Sequence, residues 1–328
     1  MIEGHGDDIY NYPDIELNFS SNIYPLADIA KVEERIKECS YVVRSYPEPS
    51  ANSLEIAIAT HLGISPANVI ATNGATEAIY LIARSFSHLK GYKILYPTFS
   101  EYEDACKMAS MQSVADESKR GIFWLCNPNN PDGAVRPKEF ITNLLRNYNI
   151  VVADQSYEDY TLEDIFTPAE GLKFSNLIQI HSMTKKYAVP GLRLGYITAN
   201  ESIIQRLRAN SIPWGVNAIA IEIGKYLINE RGAVEDMRNY LKETQRLSGL
   251  LAEIDGIIVT PTQTNFILAE SKKCSAKELK HYLATQKRML IRDASNFKGL
   301  TEGHFRVAAA SKEADNMLVE AIKEYLSR

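Results

Sequence analysis

Ser182-Met183-Thr184-Lys185-Lys186-Tyr187-Ala188-Val189-Pro190-Gly191-Leu192-Arg193-Leu194-Gly195-Tyr196 follows at once on the short apolar run 177–181. A run of that length and character reads as a buried strand, and the polar residues after it would then stand beyond the strand's carboxyl end. Arg193 is set between Leu192 and Leu194, a place that suits a guanidinium only if it meets an anion in a buried setting. A Lys–Lys pair on its own is a common solvated feature. Here, however, Lys185 has the position of an amine able to form a Schiff base with a carbonyl, and Ser182 and Arg193 have the donors to hold a phosphate beside it.

Working outward, further strand-like runs at 92–96, 121–126, 150–153 and 193–198 alternate with longer stretches of helical period. Such alternation predicts an α/β fold, a mostly parallel sheet wrapped by helices, with chemistry at the carboxyl edge. Four more segments fall at that edge. Asn73-Gly74-Ala75-Thr76-Glu77 follows the strand-like Val-Ile-Ala-Thr and opens a helical run, so its free N–H groups can take a phosphate, or it is simply a capped helix with a turn glycine. Phe99 either stacks on a planar ligand or belongs to the core. Asn130 lies in the turn-rich 127–133, where its amide meets a ring hydroxyl or nothing in particular. Asp154 ends a buried run, where a carboxylate needs a cation such as a pyridinium unless it caps a helix, and Tyr157 follows within reach of the same ring.

The rest of the chain bounds these readings. Its 328 residues exceed one ordinary core, so two domains are expected: an arm over 1–40, a large domain over 41–215, and linking helices with a small α+β domain over 216–328. Strand-like runs at 256–259, 265–269 and 304–309 and a helix after Ser311 mark the small domain, while the first forty residues lack sustained periodicity and read as extended. A net charge of −5 without a basic face argues against nucleic acid as a partner. The acidic start MIEGHGDDIY is no signal peptide and no stretch spans a bilayer, so a cytoplasmic protein with no membrane partner is expected. Cys39, Cys106, Cys126 and Cys274 have neither zinc nor disulfide spacing, and no metal is expected.

In motif order and over nearly its whole length, the sequence resembles the class I/II aminotransferases, fold type I enzymes dependent on pyridoxal 5′-phosphate (PLP). The resemblance implies that Lys185 carries the cofactor, Asp154 meets its ring nitrogen, Asn130 and Tyr157 its ring oxygen, and Phe99 its face. It places the phosphate among Gly74, Ala75, Thr76, Ser182 and Arg193. It also implies a homodimer in which Tyr46 of Arg-Ser-Tyr-Pro-Glu-Pro reaches the neighbour's cofactor phosphate.

Arg306, in His304-Phe305-Arg306-Val307-Ala308, matches the family's arginine for a substrate carboxylate, and Arg292 adds a second cation in the same domain. Two arginines imply a substrate with two anionic groups. Within the family, Gly4-His5-Gly6, the 18–26 segment, Pro97-Thr98-Phe99 onward and the 291–300 segment look most like the threonine-phosphate decarboxylases of cobalamin biosynthesis, with the histidinol-phosphate aminotransferases next. A phosphorylated amino acid or amine is therefore the expected small-molecule partner, touched by His5, Gly6, Asn22, Arg292 and Arg306. The chain departs from the family pattern at Asp132, Ala188, Pro190 and Ala310. A non-catalytic, effector-sensing role on the same fold is the remaining alternative.

Overall fold

The computed structural model describes residues 7–24, 26–114, 121–230, 232 and 234–328. Strand β1 (Leu17–Asn18) belongs to the N-terminal arm. The larger sheet takes β2 (Val69–Thr72), β3 (Gly91–Ile94), β4 (Gln112–Ser113), β5 (Ile122–Cys126), β6 (Ile150–Asp154), β7 (Leu177–Ser182) and β8 (Gly195–Ala199). The smaller takes β9 (Ile257–Val259), β10 (Phe266–Ser271), β12 (Arg292–Asp293) and β13 (His304–Ala308), while β11 (Met289–Leu290) pairs with β1.

The order in the larger sheet is β2-β8-β7-β6-β5-β3-β4, parallel except that β8 runs against both of its neighbours. Alternate residues explain the helix layers on its two faces. Ile122 and Trp124 of β5 pack with Ile79 and Ile82 of the helix Gly74–Ser85, whereas Phe123 and Leu125 pack with Ile141 and Leu145 of the helix Lys138–Asn147. Burying each such side chain contributes about 1.5–3 kcal/mol relative to exposure. Because β2, β5, β6 and β7 share a direction and β8 is reversed, the ends of the first four and the start of β8 meet at one edge.

The smaller sheet is antiparallel, β12-β13-β10-β9, and Arg292 stands opposite Arg306 in its register. The arm adds to this part through β1 and β11 and through Phe19, whose carbonyl accepts from the Ala308 N–H at 2.8 Å. The expectation of an extended arm over the whole of 1–40 is corrected by the helix Ala30–Cys39. Val32, Ile36 and Cys39, spaced four and three apart, form an apolar stripe that packs with Ile221 of the helix Ala218–Leu227. The short β12 was also not foreseen, since two residues carry no alternation.

Candidate active site

A cavity of about 730 Å³ opens at the edge where the strand ends meet, between the larger sheet, the smaller sheet and the arm. Among its lining residues are Ala75, Thr76, Phe99, Asn130, Asp154, Tyr157, Ser182, Lys185, Arg193, Arg292 and Arg306, so segments spread over more than 200 positions converge there.

Lys185 stands in the single helical turn Met183–Lys186 that follows β7. Its Nζ donates to the Ser21 carbonyl at 2.9 Å and lies 5.6 Å from the centroid of the Tyr157 ring. Burial, then the positive charges of Arg306 and Arg193, lower its pKa to about 8 against the opposing pull of Asp7 and Asp154. A lysine in that state is a far better nucleophile near neutrality than a solvated one.

Asp154, the last residue of β6, is buried with both oxygens engaged. Tyr102 donates to Oδ2 at 2.7 Å, and the Ser156 N–H and hydroxyl donate to Oδ1 at 3.0 and 2.6 Å. Burial raises its pKa and these donors hold the rise back. Tyr102 is itself fully buried, stacked on Trp124 at 5.3 Å and edge-on to Phe99 at 5.9 Å. Tyr102 and Ser156 were not singled out from sequence. Their signal was present, because Tyr102 lies three residues past Phe99 and Ser156 two past Asp154.

The start of the helix Gly74–Ser85 is shaped for close approach. Gly74 has φ +76°, and a Cβ on it would come 2.7 Å from a terminal nitrogen of Arg193, so the guanidinium lies close against the first residue of the helix, where N–H groups are free. A Cβ on Gly195 would stand 2.9 Å from the Ala75 nitrogen, which keeps β8 and the helix start packed backbone to backbone. Arg193 itself is corrected in two respects. It precedes β8 in a left-handed conformation, φ +55°, and it is exposed at the rim of the cavity instead of buried, because the 3-10 turn Pro190–Leu192 lifts it out of the strand.

On the opposite wall Arg306 is buried and its pKa is lowered to about 10 by burial. It donates to the Asn130 side-chain oxygen and, at 2.8 Å, to the Ser20 carbonyl, while its Nε is buried with no protein partner. Arg292, also buried, donates to Asn296 Oδ1 at 2.7 Å and lies over the Phe297 ring. Asn22, at φ +55°, donates to the Tyr157 hydroxyl at 3.4 Å, and its Oδ1 too is buried without a protein partner. The roles of the Ser20 and Ser21 carbonyls had no sequence signal, since every residue has a carbonyl.

Tyr46 does not join this group. It is 89% exposed and tilted against Trp214 at 5.8 Å. His5 and Gly6 lie outside the described residues. Of the departures, Asp132 closes its turn by accepting from Asn129 and the Ala134 N–H, Ala188 adopts φ +54°, Pro190 starts the 3-10 turn, and the buried Ala310 donates its N–H to Asp315.

An amine-bearing turn, a buried carboxylate and a helix start with an arginine against it, all on one strand edge, define a site of the class I and II aminotransferase type. Residues 14–117 and 110–322 match the model of the family "Aminotransferase class I and II", and the chain belongs to that family, whose cofactor is PLP. It is similar to the L-threonine-O-3-phosphate decarboxylase structure from Porphyromonas gingivalis, at 35% identity and TM-score 0.90, over 95% of this chain and 100% of that one. It is also 32% identical to the histidinol-phosphate aminotransferase of Thermoanaerobacter pseudethanolicus, over 90% of this chain and 89% of the relative. The threonine-phosphate decarboxylase of Salmonella typhimurium is 28% identical over 96% and 92%. Among the described residues no helix is long and apolar enough to cross a membrane.

Proposed function

We propose that the chain is a PLP-dependent enzyme acting on a phosphorylated amino compound, and that its reaction is decarboxylation of L-threonine O-3-phosphate to aminopropanol phosphate, a step serving cobalamin synthesis. The observation that carries the reading is the pair Arg292 and Arg306, opposed in register and lining the cavity that also holds Lys185.

The residues present fit the cofactor. The Gly74 approach, with Ala75, Thr76, Ser182 and Arg193, would take its phosphate. Asp154 would meet the ring nitrogen, Tyr157 and Asn130 the ring oxygen, Phe99 the ring face, and Lys185 the aldehyde carbon. When bound, PLP supplies an electron sink for the pair left by a bond broken at the substrate Cα. Asp154, already carrying donors on both oxygens, keeps a proton on the nitrogen it faces. Arg306 grips the substrate carboxylate through a planar, two-pronged contact and orients the Cα bonds. Arg292, with Asn22 and the His5–Gly6 stretch of the arm, takes the substrate phosphate. Lys185, neutral in an appreciable fraction near pH 7, then moves a proton at Cα.

The exposed Tyr46 supports a homodimer in which it reaches the neighbouring subunit's cofactor phosphate. A second reading, amino transfer on a histidinol-phosphate-type substrate, keeps both arginines in the same roles and is favoured by the family's other branch. Incubation with phosphothreonine separates the two. Release of CO2 with unchanged cofactor supports the decarboxylase. Conversion of the cofactor to its amine form by glutamate, with amination of imidazole-acetol phosphate and no CO2, replaces it by the aminotransferase. Turnover of neither despite bound cofactor leaves a regulatory protein.

A further inference from the structure

Tyr160 closes the 3-10 turn Glu158–Tyr160, just past Tyr157, and is fully buried. Its hydroxyl donates to the Lys185 carbonyl at 2.8 Å and accepts from the Tyr24 N–H at 3.3 Å. We propose that Tyr160 is a positioning residue for Lys185, fixing the backbone from which that side chain projects and tying it to arm segment 20–24.

The need for such a tie follows from local structure. The helix that bears Lys185 has only four residues, too few to satisfy its own carbonyls, and the remaining acceptor bond of the Lys185 carbonyl, from the Ala188 N–H, is long at 3.4 Å. Four rotatable bonds separate the lysine Cα from its amine, so play in the backbone would add to a tether that is already loose. Tyr160 removes that play from the side. Its ring is held in turn by Tyr240, which stands edge-on at 6.2 Å and packs at 4.9 Å on Tyr24.

The arm segment meets the lysine at both ends. Tyr24 reaches its carbonyl through Tyr160, while the Ser21 carbonyl accepts from its Nζ. The neighbouring Ser20 carbonyl accepts from Arg306, and Asn22 donates to Tyr157. Arm segment 20–24 therefore bridges the lysine and the arginine read here as the substrate anchor. The backbone tie does not depend on what the amine carries, so it persists through a reaction in which the amine must swing between positions. Misplacement of a reacting group by about 1 Å can cost roughly a hundredfold in rate.

The inference rests on the reading of Lys185 as the cofactor lysine, and the test separates the two. Wild-type holoenzyme, Tyr160→Phe and Tyr240→Phe are compared for kcat and KM, for borohydride-fixed cofactor on Lys185, for amide exchange over residues 20–27, and for Tm. Tyr240→Phe is the control. It also removes one buried hydroxyl bonded to a carbonyl, that of Ala309 at 2.6 Å, in the same aromatic group. Tyr160→Phe keeps its ring and should still take the label on Lys185, with kcat down roughly ten- to a hundredfold, KM nearly unchanged, and faster exchange over 20–27. Tyr240→Phe should lower Tm and keep kcat. Wild-type kcat in Tyr160→Phe, or equal losses in both variants, overturns the proposal. Wild-type protein that takes no label on Lys185 instead overturns the reading on which it rests.

Discussion

The state of Lys185 can be titrated directly. Its pKa of about 8 means that roughly one amine in ten is free base at pH 7, against about one in three thousand for an ordinary lysine at 10.5, a gain of roughly 300-fold. The adjacent Lys186 supplies an internal reference, because burial, which lowers its pKa, is outweighed by Asp159 at 3.5 Å together with Tyr187 and Glu158, and the net shift is upward. Competitive acetylation of the cofactor-free protein with a trace of acetic anhydride, read peptide by peptide, should give a Lys185 inflection near pH 8 and none for Lys186 below about 10. Arg306→Gln removes the second cause of the depression and should move the Lys185 inflection upward, though not to 10.5, since burial remains. The folded value lies below the unfolded one, so Lys185 opposes folding below about pH 8 and ceases to do so as pH rises towards 10.5. A wild-type inflection above 10, or one that Arg306→Gln leaves in place, would refute the reasoning.

Other outcomes are expected from single changes. Arg292→Ala should weaken phosphorylated substrates by about 2–4 kcal/mol while leaving cofactor affinity alone, measured as KM and cofactor titration; equal losses for unphosphorylated threonine would remove it from the phosphate. Asp154→Asn keeps the shape and most of the donors at the end of β6, so it should retain cofactor yet lose nearly all turnover, and full activity would strip Asp154 of its role. Asp315, fully buried against Glu243, has its pKa raised to about 8 and holds the pair's proton while Glu243 faces Arg246. A carboxyl that keeps its proton to higher pH in the folded state gives stability that is whole in acid and lost as pH climbs to about 8. Asp315→Asn, which has no proton to lose, should therefore flatten the Tm profile between about pH 4 and 8, and a slope equal to wild type would count against the shared proton.

Much of the site was legible because its residues sit just after apolar runs, and a strand's end is visible in sequence even where its partners are not. Lys185, Asp154 and Asn130 were singled out in this way, whereas Arg306, in the middle of β13, was singled out only by the resemblance. Direction was less visible: nothing in Gly195–Ala199 says that β8 runs against its neighbours, and that reversal is what brings Arg193 to the same edge as Gly74. Arg193 was read as buried because leucines flank it, but alternation places neighbours on opposite sides and says nothing of the turn that carries it outward. Tyr160 stayed hidden because a tyrosine after two acidic residues looks like a surface residue until its hydroxyl's partner is known. The helix Ala30–Cys39 was missed because its three apolar positions are diluted by the charged residues between them.

The opposed register of Arg292 and Arg306 makes the pairing of two strands, and not the side chains alone, a condition for keeping both guanidinium groups at the cavity. Facing residues of an antiparallel pair project from the same side of the sheet, and a slip of one position in either strand would turn one of them away. An insertion or deletion between β12 and β13 that shifted the pairing by one position would therefore part the two guanidinium groups, leaving one at the cavity and turning the other to the opposite face. On the proposed function, lineages that change substrate by small steps should alter these side chains and spare the loop length between Asp293 and His304, and the pair would set a fixed two-point spacing for a ligand with two acidic groups.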